Sequence, residues 1–409
     1  MKAIDFVTEE CGQRPSSLRV ALVTETWSPE VNGVAMTLGR IVEGLIARGH
    51  HVQLVRPRQA VAEHAADSPG LEQVLARGMA IPSYEGLRFG LPAKARLAGM
   101  WFRQRPDVVH VATEGPLGWS AVSAAAKLGI PTTSDFHTNF DHYAEHYGVG
   151  WMKQPLSAYL KRLHNRTAVT FVPTRAMARD LAERGYRNLD VIARGVDTQR
   201  FHPARRDAAL RRSWRVGDGG LAVISVGRLA PEKNLPLVLE AFEAIRRGRP
   251  DARLVIVGDG PSRRALQENH PEHHFAGIRL GDDLAAHYAS ADLFLFPSLS
   301  ETYGNVTLEA MASGLCVVAY DCAAASEVIG DGRDGLLARP GDAAGFVAQS
   351  ARAARDDALR MRLAANARVR SASLDWERIH DRFADALRQV VDHARAGGRE
   401  LPPSAAPVR

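Results

Sequence analysis

The chain has 409 residues, of which 45% are hydrophobic and 24% are charged, a globular balance in a length that suits two ordinary domains. The formal net charge of +6 is concentrated in the first 200 residues, which hold 24 Lys and Arg against 19 Asp and Glu. No window reaches 18 apolar residues and residues 1–17 lack an apolar run, which excludes a membrane span and a signal peptide from the prediction.

The chain contains three cysteines, without a Cys-x-x-Cys pair. This usage is typical of a reducing compartment and argues against disulfide bonds and a zinc site. We therefore predict a cytoplasmic protein, and any membrane association has to be peripheral, on the inner face of the cytoplasmic membrane.

Two series of strands alternate with helical patterns, which predicts parallel sheets covered by helices on both faces. The domains are predicted at 18–200 and 201–375, because the Arg-rich stretch 196–215 interrupts the alternation. Residues 1–17 and 396–409 are polar or rich in Pro and Gly and are predicted to be disordered tails. The predicted strands are 18–24, 51–56, 107–112, 131–136, 169–173 and 190–193 in the first series, and 221–227, 252–258, 293–296 and 316–320 in the second.

In the first series, a loop that contains Gly33 follows the first strand and opens a helix. Glycine permits close approach of backbone to a ligand, and a helix start favours an anion, although a plain turn glycine explains the residue equally well. His137 follows the strand 131–136 and is expected to point into a cleft at the end of that strand, with a satisfied structural histidine as the alternative.

Two stretches without acids mix basic and large apolar residues, at 86–106 and 151–166. This mixture suits an anionic membrane surface, and two ordinary surface helices explain it as well. The first stretch contains Arg88, Lys94, Arg96, Trp101, Phe102, Arg103 and Arg105. We predict no nucleic-acid partner, because neither stretch belongs to a recognised nucleic-acid-binding module.

In the second series, the loop after strand 221–227 places Arg228 and Lys233 at the carboxyl end of a strand, where two cations suit a diphosphate. Gly258 and Gly260 form part of a G-x-G-x-x-G pattern whose third position is Arg263, so a dinucleotide site is not predicted.

Two carboxylates, Glu301 and Glu309, lie eight positions apart across the turn that follows strand 293–296. Carboxylates accept hydrogen bonds from vicinal hydroxyl groups, which sugars and riboses supply. Between them, Tyr303, Gly304 and Asn305 lead into a helix whose first N–H groups suit a phosphate or a sugar hydroxyl.

The segment 298–314, with its E-x7-E spacing, resembles the signature of family 4 retaining glycosyltransferases, which have the GT-B fold of two doubly wound parallel-sheet domains facing a cleft. The resemblance extends over about residues 20–395, and it includes the G-R-x-x-x-x-K-N segment at 227–234 and a variant glycine loop with Asn32-Gly33. It implies that a closing helix at 376–395 crosses back to the first domain.

By this resemblance Glu301 and His137 contact the donor sugar, Arg228 and Lys233 hold the diphosphate, and Glu309 holds the ribose. Gly258 and Gly260 belong to the nucleotide pocket, and the segment 194–197 lies at the domain junction. The implied reaction moves a hexose, with mannose favoured, from a GDP- or UDP-sugar to a hydroxyl of a membrane lipid or cell-envelope glycan. No D-x-D motif occurs, and we predict no cofactor and no essential metal. Residues 322–325 depart from the Gly-Gly pair of many relatives, which weakens any inference on the choice of donor.

Two other interpretations of the sequence remain open. The chain could be a catalytically silent nucleotide-sugar-binding protein, because fold does not guarantee chemistry. It could also be a GT-B enzyme of other chemistry, such as an epimerase or a phosphorylase. The sequence does not decide the nucleotide, the acceptor or the oligomeric state.

Overall fold

The structure, a computed structural model, describes residues 17–28, 30, 32–59, 63–80, 88–137, 153–298 and 300–397. Contacts divide the chain into two compact units. The first unit contains Met1–Asp135, Arg166–Ala168 and Ala384–Leu401, and the second contains Phe136–Asn165, Val169–Phe383 and Pro402–Arg409. The domain boundaries predicted from the sequence stay predictions, and the predicted tails lie almost entirely outside the described residues.

The first unit contains five parallel strands in the order β3-β2-β1-β6-β7. They are β1 (Arg19–Val23), β2 (His51–Pro57), β3 (Leu71–Ala76), β6 (Val108–Val111) and β7 (Thr132–Asp135). A small antiparallel pair is formed by β4 (Gly78–Ala80) and β5 (Arg88–Gly90). The helices are α1 (Gly33–Ala47), α2 (Lys94–Arg103) and α3 (Pro116–Leu128).

The second unit contains a six-stranded parallel sheet in the order β12-β11-β10-β13-β14-β15. Its strands are β10 (Ala222–Val226), β11 (Arg253–Val257), β12 (His274–Gly277), β13 (Leu293–Phe296), β14 (Cys316–Tyr320) and β15 (Leu336–Ala338). The strands β8 (Val169–Val172) and β9 (Leu189–Val191) of this unit pair in parallel with each other.

Helices connect these strands in the second unit, as parallel pairing requires. They are α4 (Lys153–His164), α5 (Arg175–Glu183), α6 (Ala208–Ser213), α7 (Leu235–Gly248), α8 (Arg263–Asn269), α9 (Gly281–Ser290), α10 (Asn305–Ala312), α11 (Ala323–Val328), α12 (Ala343–Arg355) and α13 (Asp357–Ser371). The closing helix α14 (Trp376–Arg395) begins in the second unit and ends in the first. None of the helices in the described ranges combines the length and apolarity needed to cross a bilayer.

The six-stranded sheet is buried on both faces. Along β10, Ala222, Ile224 and Val226 belong to one apolar cluster. Leu221 and Val223 belong to a second cluster on the opposite face. Because both faces are covered, every residue of the strand is apolar except Ser225, which is itself buried.

All ten predicted strands are present, and the bounds of β13 and β14 are those predicted. The prediction missed β3, β4, β5, β12 and β15. β3 lies at a sheet edge and its residues are mostly half-buried, so its sequence contains Glu and Gln instead of an apolar run. β15 has only three residues and lies at the other sheet's edge.

Candidate functional site

The strand order of the second unit reverses between β10 and β13. From β10 the chain continues outward through β11 and β12, and it then returns to β13 on the other side of β10. In open parallel sheets, a crevice forms at the carboxyl ends of the two strands that flank such a reversal. The loop after β10 carries Arg228 and Lys233, and the loop after β13 carries Glu301, so the sequence-predicted residues of both loops meet at this point.

The contact between these two loops is an ion pair. The Lys233 ammonium donates to the Glu301 carboxylate, which also accepts a hydrogen bond of 2.9 Å from the Ser298 hydroxyl. The two charged side chains are 19% and 14% exposed, so they are shielded but still reachable from solvent. Arg228 lies on the same loop, with its guanidinium 3.8 Å from the Glu232 carboxylate.

The turn into α10 has the backbone geometry that the sequence indicates. Gly304 adopts φ 92° immediately before the helix, a backbone conformation that glycine tolerates and that other residues rarely adopt. Asn305 is the first helical residue, and its side-chain oxygen is buried without a hydrogen-bond partner among the described residues. The Tyr303 ring is buried and its hydroxyl donates to the Arg194 carbonyl at 3.2 Å, so this side chain supports the turn.

Glu309 lies inside α10 and is separate from the ion pair. It is 9% exposed, and the hydroxyl of the fully buried Tyr288 donates to its carboxylate at 3.1 Å. Burial raises the pKa of Glu309 from its ordinary 4.5 to about 7, and the Tyr288 hydrogen bond opposes that rise. The side chain therefore titrates near neutral pH, where a small change of environment controls its charge.

His137 contacts the Glu301 turn through its backbone and Arg194 through its ring. The Thr302 hydroxyl donates to the His137 carbonyl at 2.8 Å, and an Arg194 nitrogen lies 3.2 Å from Nδ1 of the ring. Because a guanidinium has only donors, Nδ1 is the acceptor, and the ring proton of a neutral His137 is then on Nε2. The guanidinium also lies 5.7 Å from the centre of the Tyr303 ring. Arg194 is predicted at a domain junction, and no local sequence pattern indicates its contact with His137.

Gly258 and Gly260 have a structural reason of their own. A Cβ atom at Gly258 would lie 1.9 Å from the Gly227 carbonyl oxygen, and one at Gly260 would lie 2.5 Å from the Leu229 oxygen. Both glycines allow the loop after β11 to pack against the loop that carries Arg228. Their predicted place in a nucleotide pocket stays a prediction.

Gly33 belongs to the first unit, where it is the first residue of α1. Asn32 caps this helix, since its side-chain oxygen accepts hydrogen bonds from the backbone of Val34 at 3.1 Å and of Ala35 at 2.8 Å. The asparagine of the variant Asn32-Gly33 pair therefore has a capping function. The predicted ligand contact of Gly33 stays a prediction.

Sequence reasoning missed a half-buried carboxylate in the first unit. Glu25 follows β1 and accepts a hydrogen bond of 3.0 Å from the Leu117 backbone at the start of α3. Burial raises the pKa of Glu25 from 4.5 to about 7. A single Glu after a strand carries no pattern that distinguishes it from a surface residue, because its partners are 92 positions away.

The basic stretch 86–106, of which residues 86 and 87 lie outside the described residues, is only partly a free surface. Trp101 is fully buried and donates to the Gln53 side chain at 2.9 Å, so its predicted role in docking on lipid is wrong. Arg96 and Arg105 donate to backbone carbonyls, the former to Leu75 at 3.2 Å.

On the exposed face of α2, the same stretch presents an apolar side chain beside basic ones. Phe102 is 77% exposed, and Lys94 and Arg103 are exposed on the same helix. The second stretch lies mainly on α4, where Leu160 and Leu163 are buried; residues 151 and 152 are outside the described residues.

Comparison with known proteins identifies the family. A model described as "Glycosyltransferase Family 4" matches residues 31–200, and one described as "Glycosyl transferases group 1" matches residues 220–356. The chain is 37% identical over 324 residues to a GDP-mannose-dependent alpha-mannosyltransferase of Mycolicibacterium smegmatis, which covers 78% of this chain and 84% of that protein. The chain belongs to glycosyltransferase family 4.

A second relative acts on a lipid. The GDP-mannose-dependent alpha-(1-6)-phosphatidylinositol dimannoside mannosyltransferase of Mycobacterium tuberculosis is 29% identical over 76% of this chain and 82% of that protein. Among solved structures, the sucrose-phosphate synthase of Thermosynechococcus elongatus superposes with a TM-score of 0.73 at 19% identity, over 92% of this chain and 99% of that one. The predicted GT-B fold and glycosyltransferase activity are thereby confirmed.

Proposed function

We propose that this protein transfers mannose from GDP-mannose, with retention of anomeric configuration, to a hydroxyl of a membrane lipid or cell-envelope glycan. The relatives named above support the donor and the class of acceptor. The observation that carries the proposal is the Lys233–Glu301 pair at the strand-order reversal, because it puts a cation for phosphate and a carboxylate for sugar hydroxyls side by side.

The cations stabilise the leaving group in this proposal. Breaking the bond between sugar and phosphate develops negative charge on the departing diphosphate, and preorganised cations beside that charge lower the barrier. Arg228 can bind two phosphate oxygens and Lys233 adds a point charge. Donor binding then exchanges part of the Lys233–Glu301 attraction for attraction to phosphate. We propose that no metal ion is required for this step.

The carboxylates orient the donor. Glu301 accepts hydrogen bonds from sugar hydroxyls, and Glu309 accepts them from the two ribose hydroxyls. Retention follows if the acceptor hydroxyl attacks the sugar on the face that the diphosphate leaves, with a phosphate oxygen taking its proton. His137, with its Nε2 proton set by Arg194, donates to a sugar oxygen. Tyr303, Gly304 and Asn305 supply the backbone turn, and Gly258 and Gly260 allow close backbone approach to the donor.

We propose a peripheral membrane position for the lipid reaction, at the inner face of the cytoplasmic membrane. Lys94, Phe102 and Arg103 form the candidate docking surface, because the exposed ring can enter the interface while the cations attract anionic lipid. Each cation near the surface contributes about 1 kcal/mol and is screened by salt.

Vesicle binding tests the docking surface. A K94E/F102S/R103E variant should lose binding to anionic vesicles at low salt, and wild-type binding should weaken as salt rises. A matched R246E/R264E variant makes the same charge change on exposed residues elsewhere and should retain binding. Equal loss in both variants, or no wild-type binding, would reject this surface.

Calorimetric titration with GDP tests the nucleotide assignment. Glu309→Ala should weaken GDP binding, whereas Glu301→Ala should mainly lower kcat, because ribose contacts exist throughout the reaction and sugar contacts strengthen in the transition state. Glu268→Ala, at an exposed residue, is the control and should change neither quantity. Wild-type GDP affinity in a folded Glu309→Ala protein would remove Glu309 from the donor site.

A further inference from the structure

A short turn between α8 and β12 carries two histidines and a glutamate. The backbone N–H of His273 donates to the His270 carbonyl at 3.2 Å, which closes a turn with Pro271 at its second position. Proline fixes the backbone at this position of a turn, so the side chains of the turn start from a preorganised geometry.

The three side chains converge. The Glu272 carboxylate lies 3.8 Å from Nδ1 of His270 and 3.6 Å from Nε2 of His273. One potential ligand atom from each residue lies within 4.8 Å of the other two. Ligand atoms about 2.0–2.1 Å from a tetrahedral ion are about 3.3 Å apart. The His270 and His273 rings are stacked with their planes 6° apart, so the exposed His270 ring has to rotate for both imidazoles to bind one ion.

One ligand is rigid and the others are accessible. The His273 ring is buried and packs edge-on against Phe242 of α7, with ring centres 5.2 Å apart. His270 is half-exposed and Glu272 is exposed, which leaves an entry path from solvent. Two imidazoles with one carboxylate are a donor set that zinc and related divalent ions prefer.

We propose that His270, Glu272 and His273 bind a divalent transition-metal ion such as Zn²⁺, with solvent in the remaining positions. The prediction against a zinc site rested on the cysteines, and these ligands are histidines and a carboxylate. The proposed metal site lies at the amino end of β12, whereas the candidate sugar site lies at the carboxyl ends of β10 and β13. Because the strands are parallel, the two sites are at opposite ends of the strands. The ion would therefore stabilise the fold and would take no part in glycosyl transfer.

Titration of the untagged full-length chain tests this site with Zn²⁺ by calorimetry and with Co²⁺ by visible absorption, which reports ligand geometry. We expect one bound ion and a higher melting temperature with Zn²⁺. His270→Ala and Glu272→Gln should each weaken binding by at least about tenfold, since loss of a direct ligand should cost no less than loss of an outer-shell partner. Both residues lie in an exposed turn, so these variants should fold.

His274 provides the matched control. It is the next residue, yet its ring packs against Trp214 with ring centres 6.3 Å apart. His274→Gln should therefore bind Zn²⁺ as wild type does, and turnover in His270→Ala should be unchanged. Absence of a stoichiometric ion, or unaltered affinity in His270→Ala, would overturn the proposal.

Discussion

Replacing Glu309 by Gln should change how the stability of the protein depends on pH. The unfolded chain ionises this carboxyl near 4.5, whereas burial raises its pKa to about 7 in the folded protein. Between these values the folded protein retains a proton that the unfolded chain has lost. The free energy of unfolding therefore falls as pH rises from about 4.5 to 7.

The structure sets the size of this effect. The pKa difference between 4.5 and about 7 corresponds to about 3 kcal/mol at 1.36 kcal/mol per unit. Gln keeps the shape of the side chain and can still accept the Tyr288 hydrogen bond, but it cannot ionise. As pH rises above 5, the free energy of unfolding of the Glu309→Gln protein should therefore fall by up to that amount less than that of wild type.

Urea unfolding at pH 5 and pH 8 measures the difference. Glu268→Gln, at a residue whose side chain is 62% exposed, is the control and should follow the wild-type profile. Tyr288→Phe should steepen the wild-type decline, because the Tyr288 hydrogen bond lowers the Glu309 pKa. Parallel profiles for wild type and Glu309→Gln would refute the view that this carboxyl is buried near its neutral form.

Arg228→Ala and Lys233→Ala should each lower kcat by about 10- to 1000-fold, which is the range for losing one preorganised charge stabiliser. Steady-state kinetics with saturating acceptor measure this loss of kcat. If kcat is unchanged in both variants, groups other than Arg228 and Lys233 bind the diphosphate. Activity should survive EDTA. If EDTA abolished activity and Mg²⁺ restored it, a metal ion would be the group that stabilises the charge of the diphosphate. Gly258→Ala should lower the free energy of unfolding by about 1–3 kcal/mol because its Cβ would strike the Gly227 oxygen. In α1, a Cβ atom at Gly39 would meet open space, so Gly39→Ala should raise the free energy of unfolding by up to about 1 kcal/mol. Equal effects of the two substitutions in denaturant unfolding would contradict the close packing at Gly258.

The predictable part of the fold was the central strands. β13 and β14 are buried on both faces, so their sequences are apolar without interruption and their bounds could be read directly. Edge strands such as β3 are half-solvated and resemble loops in composition. Local sequence therefore predicts the middle of each sheet better than its margins.

The loops of the candidate site could be predicted, but their contacts could not. Glu301 and Lys233 were expected at carboxyl ends of strands, yet their pairing joins positions 68 apart. The orientation of Trp101 was wrong because a mixture of aromatic and basic residues does not indicate which face of a helix is buried. The contact between Arg194 and His137 also depends on tertiary structure and had no local signal.

The most direct test of the proposed activity is to incubate the purified protein with GDP-mannose and a bacterial lipid extract, with UDP-glucose and UDP-galactose as parallel donors. Mass spectrometry identifies the product and NMR of the anomeric proton gives its configuration. We predict a lipid that carries one additional α-linked mannose, formed only from GDP-mannose and absent with the Lys233→Ala/Glu301→Ala variant. A β-linked product, or transfer only from a UDP-sugar, would contradict the proposal.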